Sequence, residues 1–95
     1  PALTTGLLSI SPNPFKTATT INMNIGKDAE QVALEIFNVR GQKVRTIYSG
    51  TMSYGTQAIT WDGIDDRGMS IASGLYFCRL TVGKNVQTLK MMVLK

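Results

Sequence analysis

Histidine is absent from this 95-residue sequence and cysteine occurs once. Without imidazole the chain lacks the commonest metal ligand and the commonest general base, and one thiol forms neither an internal disulfide nor a cysteine-based zinc cluster. Serine and threonine are plentiful, yet nothing is present to activate them, and Cys78 falls on a face predicted to be buried. The chain therefore reads as a non-enzyme. No apolar run approaches the ~18 residues of a spanning helix, and no stretch pairs the charged and apolar regions of a signal peptide. If the protein leaves the cytosol, its address lies upstream on a larger parent chain or in the folded surface of this domain. Dense positive charge is missing too. The net charge is +4, but Lys16, Lys27, Lys43, Arg45, Lys84, Lys90 and Lys95 are scattered, so nucleic acid is not an expected partner.

At 43% hydrophobic and 17% charged the chain is globular, and nine glycines with three prolines suit short strands and turns. A domain of this length has a thin core, burying roughly 60–65% of its extended-chain surface. Leu7, Leu8 and Ile10 make a short apolar start that Ser11-Pro12-Asn13-Pro14-Phe15 interrupts, because proline donates no N–H. That predicts a short edge strand. Between Thr17 and Ile25 the alternation sends Ile21, Met23 and Ile25 to one face, and Val32, Leu34 and Ile36 repeat it after the polar turn 26–30. A turn at Gly41 predicts a hairpin into 43–48, where Val44 and Ile47 are three apart and call for a bulge or an early end. Ser49-Gly50 and Ser53-Tyr54-Gly55 are predicted loop, and Gln57 to Trp61 places Ile59 and Trp61 together. Tyr76, Cys78, Leu80 and Val82 share a face of the strand 75–82, and Gly83-Lys84-Asn85 turns into a last strand, 86–95.

About seven short strands without a sustained helical period predict an all-β, immunoglobulin-like antiparallel β-sandwich, with a small closed barrel as the alternative. Residues 1–6 read as an N-terminal linker remnant and 7–95 as the domain.

The stretch from Trp61 to Phe77 is a strand-loop-strand corner holding three glycines, Gly63, Gly68 and Gly74, and three aspartates. Asp62, Asp65 and Asp66 are weak calcium candidates, since the spacing and closing glutamate of an EF-hand loop are missing. Holding turns through nearby backbone N–H groups is the preferred role, so no metal or cofactor is expected. Trp61 with Tyr48, Tyr54 and Tyr76 offers a sugar-stacking platform, though strand alternation sends Trp61 inward as a core anchor. The last strand is apolar on both faces. Leu89, Met91 and Val93 form one, Met92 and Leu94 the other, so either a bulge turns the strand or something outside the domain covers the second face.

Several segments together resemble a known family. S-P-N-P-F with T-T-I-N-M, L-E-I-F-N-V-R-G-Q-K-V, I-T-W-D-G-I-D-D-R-G, S-G-L-Y-F and the tail Lys90-Met91-Met92-Val93-Leu94-Lys95 resemble the type A C-terminal sorting domain of the type IX (Por) secretion system. The pattern is similar to the immunoglobulin-like module of flagellar hook-capping proteins. The resemblance implies the last module of a larger secreted protein, carried through the periplasm to the cell surface or released. Its implied partners are the outer-membrane type IX translocon, a sortase-like peptidase and an upstream cargo domain. It places recognition on Pro12 and Pro14, on Gly63, Gly68 and Gly74, and on the terminal strand from Lys90 to Lys95, with Asn13, Trp61 and Tyr76 completing the motif. A terminal edge strand with free backbone groups suits β-augmentation, and also weak self-association. The alternative is a binding or assembly module of an extracellular protein, hook-cap-like or carbohydrate-binding.

Overall fold

Alternation builds the core. Ile21, Met23 and Ile25 on one strand face Val32, Leu34, Ile36, Cys78 and Leu80 on others, and all are buried. The computed structural model describes residues 4–95, so the first three residues of the predicted linker lie outside the described residues. Seven strands follow in order: β1 (Gly6–Ser11), β2 (Thr19–Ile25), β3 (Ala29–Asn38), β4 (Lys43–Met52), β5 (Gly55–Trp61), β6 (Gly74–Val82) and β7 (Asn85–Val93). They form a three-stranded sheet, β1-β2-β5, and a four-stranded sheet, β4-β3-β6-β7, with every neighbouring pair antiparallel. The fold is an all-β immunoglobulin-like sandwich. A closed barrel does not form, because no strand pairing among the described residues joins the two sheets.

Two expectations about β4 differ in outcome. The predicted bulge is present, with register shifts at Leu34/Glu35 and Ile36/Phe37. The predicted stop at Tyr48 is not, because the strand continues through Ser49 and Gly50 to Met52. Small polar residues read as loop, yet pairing with Val32 and Ala33 of a central strand holds them extended. The bulges also turn Tyr48 and Arg45 opposite the buried Leu34 and Ile36, which puts both on the inner side. Val44 and Ile47 pack at the margin of the core.

Trp61 ends β5 with 2% of its surface exposed. Its indole N–H donates to the Ile64 carbonyl at 3.0 Å, and its ring meets Phe15 at 5.8 Å between centroids, tilted by 59°. The corner that follows is tied down by Ile71 N–H to Gly63 O at 3.0 Å and Asp65 N–H to Met69 O at 2.8 Å. Gly63 and Gly68 have φ of 75° and 82°, a region in which a Cβ is strained, so glycine is required here by the backbone. Around Gly68 there is open space, so crowding has no part in that requirement.

Candidate functional site

The three segments that look unrelated along the chain meet at one end of the sandwich. The segment between β1 and β2 crosses to the terminal strand, and the corner after β5 forms the floor between them. Both X-Pro bonds of that segment, before Pro12 and Pro14, are cis. Thr19 Oγ1 anchors it by donating to the Pro12 carbonyl at 2.7 Å, and Phe15 is buried beneath it on Trp61.

Beyond that anchor the segment pairs with β7. Asn13 Nδ2 donates to the Lys90 carbonyl at 3.1 Å, and Asn13 Oδ1 accepts the Met92 N–H at 2.9 Å. Phe15 N–H donates to Met92 O at 3.0 Å, and Leu94 N–H to Phe15 O at 2.9 Å. One asparagine amide and one residue of backbone thus stand in for a neighbouring strand, with Phe15 and Val93 in a parallel bridge. This corrects the expectation of a terminal edge with free backbone groups. β7 is an edge strand of its sheet, but its outward groups from the Lys90 carbonyl to the Leu94 amide are occupied. The sequence signal was a side chain with a donor and an acceptor between two prolines.

The side chains divide as alternation requires. Met91 and Val93 are 1% and 0% exposed and belong to the core, while Met92 and Leu94 are 38% and 46% exposed. Pairing from Gly74↔Val93 to Val82↔Asn85 has no register shift, so no bulge rescues the second apolar face. That face is wider than the tail alone. Met92 stands opposite Leu75, Lys90 opposite Phe77, and Phe77 opposite Phe37, so these side chains share the outer face of the four-stranded sheet. Phe37 carries the Arg79 guanidinium 4.2 Å above its ring. Alternation along each strand already sets Phe37 and Phe77 opposite the core positions, but only the strand order brings them beside Leu75 and the tail.

The corner closes around the end of the tail. Lys95 N–H donates to Ser73 Oγ at 2.9 Å, and Lys95 Nζ donates to Ser70 Oγ. Gly63 lies beneath Phe15, Gly74 opens β6 opposite Val93, and the Tyr76 hydroxyl donates to the Ala72 carbonyl at 2.8 Å. Gly68 and Pro12 take no part in contacts with the terminal strand among those described.

The aspartates are engaged with the backbone. Asp62 Oδ1 accepts Ile64 N–H at 3.2 Å; Asp65 Oδ1 accepts Arg67 and Met69 N–H groups, each at 2.9 Å; Asp66 Oδ1 accepts Thr46 N–H at 3.1 Å. The Met69 N–H, then the Arg67 N–H and charge, hold the Asp65 carboxyl below its ordinary value of 3.8 against partial desolvation. Among the described residues no group of three or more carboxylate and thiol side chains could hold a metal ion. Burial pushes the Cys78 thiol up to about 12, so it is not a nucleophile in the folded chain. The sugar platform is dismantled as well, because Trp61 and Tyr76 are buried and only Tyr54 of the set is exposed, at 53%.

The sequence model of the FlgD Ig-like domain matches residues 10–85. No curated protein matches the chain. Among solved structures it is similar to dimeric latent PorU from Porphyromonas gingivalis, with a TM-score of 0.73 and 23% identity over 93% of this chain. PorZ, described as an essential bacterial surface component of the type-IX secretion system of the same organism, has a TM-score of 0.60 and 20% identity over 95%. FlgD from P. aeruginosa has a TM-score of 0.59 and 19% identity over 79%. The chain spans 9%, 12% and 58% of those three chains respectively, and the likeness is one of fold.

Proposed function

The chain belongs to the FlgD Ig-like domain family, and on that premise we propose that it is a non-catalytic C-terminal sorting domain of the type IX secretion system. It directs an upstream cargo domain through the periplasm and across the outer membrane by engaging the translocon, and a sortase-like peptidase then processes the cargo at the cell surface. The observation that carries this reading is the apolar outer face of the tail: Met92 and Leu94 remain exposed on a strand whose edge is already latched. Side chains, more than free main-chain groups, are what this end offers a receptor, with Leu75 and Phe77 beside them and Lys90 and Lys95 at the margin.

Deletion of residues 91–95 is a poor test, since Met91 and Val93 are core residues and their loss unfolds the domain. The double substitution Met92→Ser, Leu94→Ser leaves the core untouched. Expressed on the full parent protein, it is expected to retain the cargo in the periplasm while the domain keeps its wild-type melting behaviour; surface delivery at the wild-type level would sink the proposal.

A further inference from the structure

The edges of the two sheets are unequally protected. Gln87 occupies the outer edge of β1, its Oε1 accepting Leu7 N–H at 3.0 Å and its Nε2 donating to Thr5 O at 3.3 Å. Asp66 occupies the start of the β4 edge, donating its N–H to Val44 O at 2.9 Å and accepting Thr46 N–H at 3.1 Å. Asn13 and Phe15 hold the end of β7. What is left of β4 is bulged, and what is left of β7 is flanked by Lys84 and Lys90. Bulges, charges and covering groups are the usual means of keeping an edge from pairing.

β5 has none of them. Its sequence, GTQAITW, is uncharged and lacks proline, and it pairs with β2 in unbroken register from Thr19↔Trp61 to Ile25↔Gly55. The Leu7 N–H points away from β2, so Gly6↔Asn24 is a hydrogen-bonded pair. Alternation then turns Met23 and Ile21 towards β5. The even residues Thr56, Ala58 and Thr60 therefore direct N–H and C=O away from the sheet, and no described group takes them.

That side of β5 is an unpaired sheet edge. Three strands face four, and β1 comes close to β7 at one side, whereas β4 and β5 at the other make no comparable contact. Between the two lies a groove of about 670 Å³ lined by Tyr48, Met52, Gln57 and Ile59, with Asp28 at the hairpin end. Towards the corner stands Arg45. Its Nη1 donates to the Asp65 carbonyl at 3.2 Å, its Nε is buried without an acceptor, and neither salt bridge among the described residues includes it. A row of outward N–H and C=O groups calls for an extended main chain, and Arg45, which no carboxylate among the described residues pairs, calls for a negative charge on it.

We propose that the β5 edge is a docking site for one extended segment of a partner protein, with apolar side chains at alternate positions over the groove and a carboxylate at the end nearest Arg45. Main-chain pairing with Thr56, Ala58 and Thr60 supplies affinity, and Tyr48, Ile59 and Arg45 supply selectivity. The β5 edge lies on the other sheet from the tail surface, and docking there does not depend on the sorting role.

The test uses a capped peptide as long as β5, seven residues, alternating valine and threonine with one terminal glutamate. Its glutamine counterpart and a form N-methylated at the amides that would face β5 serve as controls. With millimolar peptide, exchange of the Thr56, Ala58 and Thr60 amides is expected to slow by about tenfold. Ala58→Pro removes an outward donor without breaking the β2 ladder and is expected to abolish the effect. The N-methylated peptide is expected to give none, whether or not that variant folds. The glutamine peptide, or Arg45→Met, is expected to weaken binding by about fivefold. Unchanged exchange on β5, protection on β7 instead, equal binding of the methylated peptide, or equal affinity for glutamate and glutamine would each overturn the assignment. So would concentration-dependent protection without peptide, which would give the edge to a second copy.

Discussion

At the scale of single residues, Asn13 is the side chain whose chemistry is least replaceable. It satisfies a carbonyl and an amide two residues apart on β7, a pattern that needs one donor and one acceptor on one planar group. Asp offers no donor to the Lys90 carbonyl and Ala offers neither group. Asn13→Ala is expected to lower the unfolding free energy by about 1–2 kcal/mol in urea titration, since each net hydrogen bond contributes about 0.5–1.5 kcal/mol. The same variant should speed exchange of the Met92 amide while leaving that of Met91, which faces β6, slow. If both amides accelerate together, the asparagine acts on the whole strand and is no local latch. Restoring Gln at position 13 is expected to recover little, because its extra methylene displaces the amide from both partners.

At the scale of elements, the segment 12–15 works as a strap whose strength lies in Phe15. The ring is 2% exposed against Trp61, and its backbone holds β7 on both sides of Val93. Phe15→Ala is expected to cost about 3–5 kcal/mol by cavity formation, a large share of the 5–15 kcal/mol typical of such a domain. Phe15→Leu should cost distinctly less and keep the tail paired, as read by exchange of the Leu94 amide. Most of these elements were legible in the sequence, because period-two alternation around Ile21, Leu34 and Cys78 reports directly on a buried face. The corner was legible as turns from its glycines and aspartates. Edge occupancy was not: Asn13 finding Lys90, and Gln87 finding Leu7, are contacts between residues about 80 positions apart. Nothing local in either side chain announces its partner. The extension of β4 through Ser49 and Gly50 was hidden for a related reason, since its cause lies in the neighbouring β3.

At the scale of the whole molecule, the lack of histidine and the few displaced carboxyl and thiol groups set the pH response. Asp65 is held below 3.8 in the folded chain, so its contribution is fully present above that unfolded value and is lost as pH falls through the lower folded one. Cys78 is raised from 9.0 to about 12, so the folded state keeps its proton while the unfolded chain ionises. Stability from that difference is fully present below 9.0 and is lost as pH rises towards about 12. Burial raises Tyr76 above 10.0 and acts in the same direction. Urea titrations are therefore expected to give a flat plateau between about pH 5 and pH 8, falling on both sides. Cys78 also turns the thiol into a probe of cooperativity. It sits in β6, an interior strand of its sheet, opposite Ile36 and Leu89, and alkylation needs both access and ionisation. Near pH 8, iodoacetamide labelling is expected to be slower than for the unfolded chain by a factor of about a thousand or more, tracking the global opening equilibrium. Asn13→Ala, which loosens only the outer edge of β7, should raise labelling no more than its loss of global stability predicts. Labelling that exceeds this would mean that β7 detaches from β6 as a unit, and the sheet would then divide at the strand whose outer face the proposed receptor meets.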